Sequence, residues 1–228
     1  MVDTARHTKT AKDIIKNRFG VDIEVEFVTH EKAPKRKAEI AEQYGSQVEK
    51  LGGFFMPEAN GLAPIMLVAY KDNDQFDFIE TYYHELQHAI DFYEAQARLG
   101  KETLEAIPYF SYYTEYNASF HGALRYTIAV LDSLSTDTER RQFMADSKAQ
   151  CVRAFNKIDR ITIIDILFYM ARVSAFARIE GGIDYSLVAG IPQREKFAEI
   201  VNHINKYEPT QEWYAEFKKR VDGLTVKE

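Results

Sequence analysis

Apolar and polar positions change rhythm along this chain, and the change marks its architecture. Residues 4–19 carry Ile14, Ile15 and Phe19 at helical intervals, and Gly20 is placed to end that helix. Residues 21–29 alternate apolar and charged side chains, the pattern of a half-buried strand. Pro34 can open a second helix running to about Lys50, stopped by Gly52 and Gly53. Gly53 to Pro57 reads as a short strand, and Pro57, which cannot donate to a ladder, suits an edge or a strand end. Asn60-Gly61 marks a turn, and Ile65 to Tyr70 is a continuous apolar run typical of a buried strand.

From Gln75 to about Leu99 the period becomes helical, and Gly100 closes the segment. A short helix near Thr103 and a long one from about Tyr109 to Ser133 follow. Further helices are expected over roughly 137–157, 161–179, 192–206 and 210–222, with Gly181-Gly182 and Pro192 as separators. Strands cluster in the first third and helices fill the rest, which is an α+β plan. The expected organisation is a catalytic core over 1–133 and a helical C-terminal lobe over 134–228, packed with the core as one unit.

Composition narrows the function classes. Hydrophobic residues make up 46% of the chain and charged residues 28%, so an ordered globular core is expected. A net charge of −6 and no long basic block argue against nucleic acid as a partner. The densest basic stretch, Lys32 to Lys37, falls where the second helix starts and reads as a solvated helical face. The single cysteine, Cys151, excludes an internal disulfide and reads as an inert, partly buried thiol. The first residues lack a signal-peptide pattern. Ile161 to Ala177 is the most apolar stretch, but Asp165 and Arg172 interrupt it, and it falls short of a membrane span. A cytoplasmic protein without a membrane partner is the expectation; oligomeric state is open.

The chemistry concentrates at His84-Glu85-Leu86-Gln87-His88. Residues four apart on a helix lie on one face, so two imidazoles can converge on a tetrahedral ion. Glu85 lies beside them, where its carboxylate can take a proton from a water activated by zinc. The alternative is a pair of exposed histidines on a surface helix. A catalytic zinc takes three protein ligands, so a third must come from elsewhere. Glu115 is the preferred candidate: Ala118, Ser119 and Gly122 follow on its face, and small residues there allow close approach of another helix. Its alternatives are a salt bridge to an arginine such as Arg125, or exposure, and His121 is a rival ligand. Asp91, one turn beyond His88, is a candidate for orienting a ligand imidazole through its free N–H, and Ser119 is expected to support the ligands in the same way. A tyrosine near Glu115, Tyr112 or Tyr109, is the candidate donor to the developing oxyanion.

These residues resemble the gluzincin branch of the zincin metallopeptidases, in which His-Glu-x-x-His is followed by a glutamate on a later helix. The extended pattern His84-Glu85-x-x-His88-x-x-Asp91-x-Tyr93, with Glu115-x-x-Ala118 downstream, is similar to the catalytic domain of anthrax lethal factor. The compact size resembles the ImmA-type peptidases of mobile elements and phages. The spacing from His88 to Glu115 is shorter than in lethal factor, and the long helical C-terminal region departs from ImmA-type proteins, as does the lack of their usual glycine before the second histidine. The resemblance covers roughly residues 20–125 and implies a small mixed sheet packed on the motif helix. It implies that Gly53, Phe54 and Phe55 form an antiparallel edge strand that binds the substrate backbone. It also implies Zn2+ held by His84, His88 and Glu115, and cleavage of a protein or peptide substrate, by an endopeptidase rather than an exopeptidase. The alternative is a non-catalytic binding or regulatory protein of the same fold, phage-derived, with a structural zinc. Hydrolysis of a non-peptide amide is a third reading.

Overall fold

The structure, a computed structural model, describes residues 2–45, 53–100, 110–158, 162–191 and 193–224. It is mixed α+β, with a small sheet early in the chain and a helical C-terminal part. The chain divides into two compact units, Met1–Glu94 and Ala95–Glu228.

The first unit contains α1 (Thr4–Phe19), β1 (Glu24–Thr29), α2 (Ala33–Tyr44), β2 (Gly53–Met56), β3 (Ile65–Tyr70) and most of α3 (Gln75–Leu99). Asp3 caps α1 by accepting from the Arg6 N–H, and Gly20 ends it in the left-handed conformation, φ 73°. The second helix has proline in its first turn, as the sequence suggests, but stops at Tyr44. Gly45 adopts φ 65° and ends the helix there, several residues short of the expected Lys50. Residues 46–52 lie outside the described residues.

The three strands are ordered β1-β3-β2. The central strand pairs in parallel with β1 and antiparallel with β2. Its apolar run is explained by burial on both sides. Met66 and Val68 join Ala11 and Ile15 of α1 and Phe78, Tyr82, Leu86 and Ala89 of α3 in one cluster. Ile65 and Leu67 point the other way and pack with Ile40 and Tyr44 of α2. Thus β2 is an edge strand of four residues, with one side of its backbone unpaired in the sheet formed by the described residues.

The second unit is built from α4 (Phe110–Ser133), α5 (Asp137–Phe155), α6 (Ile163–Glu180), the single turn α7 (Tyr185–Val188), α8 (Arg194–Ile204) and α9 (Gln211–Asp222). Two helices open with capping boxes, Thr136 with Glu139 and Thr162 with Asp165. α4 packs along α6, and α8 against α9. The core joins Leu167, Ala171, Phe197, Trp213 and Phe217 with Tyr113 and Tyr116. The apolar stretch singled out in the sequence becomes α6, and among the described residues no helix is long and apolar enough to cross a membrane. The helix expected near Thr103 lies outside the described residues.

Candidate metal centre

The apolar stripe of α3 explains how the motif is presented. Phe78, Tyr82, Leu86, Ala89 and Tyr93 recur at three- and four-residue intervals and are buried against the sheet. Glu85 falls on that stripe, so its carboxylate is carried inward and is only 3% exposed. His84 and His88 fall at the border of the stripe and are half-buried. Their Nε2 atoms lie 3.0 Å apart, with the rings nearly perpendicular.

That spacing can be compared with what a metal requires. Zn–N bonds of about 2.0–2.1 Å in a tetrahedron put two ligand nitrogens about 3.3–3.4 Å apart. The observed separation is a few tenths of an ångström shorter, within reach of a small rotation of either ring. One ligand atom from each of His84, Glu85 and His88 lies within 4.8 Å of the others. Two imidazole nitrogens are donors that suit zinc, and the Glu85 carboxylate lies beside them. By geometry and donor type, these residues fit such an ion.

The neighbouring positions add detail. Asp91 is 1% exposed and its Oδ1 accepts a 2.7 Å hydrogen bond from Gln87 Nε2, within the motif itself. Gly53 at the start of β2 is buried, while Phe54 and Phe55 are half-buried on opposite faces of the sheet. A Cβ on Gly53 would lie 2.6 Å from Glu85 Cγ and 2.7 Å from Glu85 Oε1. The Glu85 side chain therefore rests directly against the backbone of the edge strand.

Lys37 is the residue the sequence reading misplaced. The basic stretch reads as a solvated helical face, and Lys35 does face solvent at 87% side-chain exposure. Lys37, however, is only 9% exposed. Ala33, Lys37, Ile40 and Tyr44 form the buried face of α2 at intervals of four, three and four. Lys37 is thus a charge on an apolar stripe, a signal hidden in the sequence by the basic residues around it. Burial pushes its amine below the usual lysine range, and the negative field of Glu85 pushes it back up.

The remaining expected site residues belong to α4, in the second unit. Glu115, Tyr112 and Ser119 are half-buried there, beside the buried Ala118 and Gly122. His121 is half-buried, and burial together with Arg125 holds its pKa below the usual imidazole value. Tyr113 and Tyr116 are core residues; Tyr116 donates to Ser174 Oγ at 2.9 Å, and burial raises it to about 12. Tyr109 lies outside the described residues. Cys151 is half-buried, and desolvation raises its thiol pKa, as befits an inert side chain.

Comparison of the chain with protein-family models, with curated proteins and with solved structures returned no match.

Proposed function

We propose that this protein is a zinc-dependent metallopeptidase of the zincin type, in which His84 and His88 hold the metal. The observation that carries the reading is the convergence of their Nε2 atoms, 3.0 Å apart on one face of α3, with the buried Glu85 beside them. When bound, zinc supplies Lewis acidity, which allows water to attack a peptide carbonyl near neutral pH. The Glu85 carboxylate takes the proton of that water and returns it to the departing amine. Edge strand β2 offers its unpaired backbone to an extended peptide, with Gly53, Phe54 and Phe55 along the line of addition. Glu115 enters as third ligand from the sequence pattern alone, as does Tyr112 as oxyanion donor.

The test uses purified protein loaded with zinc and a panel of protein and peptide substrates. Wild type is expected to cleave one of them, and Glu85→Gln to keep its zinc while losing cleavage. A Glu85→Gln protein that retains the full effect of wild type would overturn the enzyme reading in favour of a binding protein. Glu115→Gln is expected to weaken zinc binding about 10- to 100-fold or more, the range seen when metal support is removed. Unchanged affinity would remove Glu115 from the ligand set.

A further inference from the structure

Glu115 stands in the first two turns of α4, and those turns are held by rings from α8, α9 and the turn between them. Tyr113, 2% exposed, stacks on Tyr207 with ring centroids 4.2 Å apart and planes 20° from parallel. The rings of Trp213 and Tyr214 meet Tyr113 edge to face, at 5.3 and 6.4 Å. Phe110, the first residue of α4, lies 6.0 Å from Tyr214. Aromatic pairs prefer defined angles, so such a cluster resists rotation of its members as well as their separation.

The receiving side is itself a fixed corner. Trp213 and His203 stack at 4.5 Å and exchange two hydrogen bonds between α8 and α9. Trp213 Nε1 donates to the His203 carbonyl at 3.3 Å, and His203 Nε2 donates to the Trp213 carbonyl at 3.1 Å. The hydroxyls of Tyr207 and Tyr214 share a 2.9 Å hydrogen bond. Three residues after Tyr113, Tyr116 donates to Ser174 Oγ of α6 at 2.9 Å. Glu115, half-buried, falls between these two anchored tyrosines.

A metal ligand makes strict demands on such a helix. A glutamate carboxylate lies about 6 Å from the axis of its helix, so a rotation of about 10° carries it about 1 Å. Metal–ligand distances hold to about 0.2 Å, and side-chain torsions recover a larger shift only by leaving their preferred rotamers. α4 packs along α6, which keeps the helix in the unit. The terminal turns, where helices fray, are left to be fixed by Tyr113.

We propose that the α8–α9 corner is a positioning element for the metal site. Through the Tyr207–Tyr113 stack it sets the rotation of the first turns of α4, and so the place of the Glu115 carboxylate. The inference rests on the reading of Glu115 as third zinc ligand. It gives the C-terminal helices a part in the chemistry, with Tyr113 and Tyr207 as positioning residues that act through Glu115.

Zinc titration of the metal-free protein tests this without any substrate, in a cycle of Tyr207→Ala and Glu115→Gln. Tyr207→Ala removes the stacked ring and is expected to weaken zinc binding about tenfold. Tyr207→Phe keeps the ring and should bind like wild type. In the Glu115→Gln background Tyr207→Ala should change nothing further, because the residue it acts through is gone. A general loss of structure would instead lower affinity in both backgrounds. If Tyr207→Ala does not fold by circular dichroism, Tyr207→Leu, which keeps bulk but not the stack, takes its place with the same expectation. Wild-type affinity in the folded variant, or equal losses in both backgrounds, overturns the positioning role and leaves the zinc site standing. Unchanged affinity in Glu115→Gln alone overturns the ligand and the positioning role together. Failure of wild type to bind zinc overturns the metal site as well.

Discussion

The two units of this protein treat buried polarity in opposite ways. Among the described residues, the buried charged side chains Lys37, Glu85 and Asp91 all lie in Met1–Glu94. In Ala95–Glu228 Thr114 and Thr127 are buried, and each donates its hydroxyl to a carbonyl of its own helix, Ser111 and Ala123 respectively. A buried charge costs several kcal/mol before compensation, whereas a threonine bonded back to its own helix is nearly neutral. Among the described residues, the second unit buries no whole charged side chain. The first accepts an expense that packing does not require, and all of it falls on or beside one helical motif. Buried charge that stability does not need is a pointer to chemistry.

Substitutions in the two units should separate these two economies. The largest effect is expected from Glu85→Gln: a fall in cleavage of about a hundred- to ten-thousand-fold, with little loss of stability. Cleavage assays beside thermal melts check it, and a variant that unfolds would make Glu85 a structural charge. The converse experiment is Phe217→Ala in the second unit. Phe217 is fully buried and stacked on Trp213, so its truncation should cost about 3–5 kcal/mol in denaturant unfolding. Gly53→Ala falls between the two kinds of change. Its Cβ must displace both a backbone carbonyl and Glu85, at a cost of about 1–3 kcal/mol by overpacking, read as a lowered urea midpoint. The smallest effect is Thr162→Ala, which removes the capping box of α6 and should cost about 1 kcal/mol, with no change in metal affinity.

Much of this fold was legible in the residues, for reasons that can be named. α1, β3 and α3 have the bounds expected from the pattern, because α1 and α3 keep a helical period, β3 is an unbroken apolar run, and turn-forming or polar residues stand at their ends. Helix α2 was read too long because Gly45, alone and mid-pattern, gave no sign that it would adopt a positive φ. α7 was missed because one turn is too short to show a period. In the site, His84, Glu85 and His88 were legible because a single helix fixes their geometry, whatever surrounds it. Lys37 was not, because three basic neighbours masked its place on an apolar stripe. The contact between Gly53 and Glu85 was not legible either, since it joins residues that only strand pairing brings together.

Calorimetric titration of metal-free protein with Zn2+, wild type beside His84→Ala, tests the central claim most directly. The account predicts about one equivalent bound by wild type, and an affinity at least about a hundredfold weaker in His84→Ala, more than the loss of a supporting residue produces. No binding by folded wild type, or the same affinity in both proteins, would contradict it.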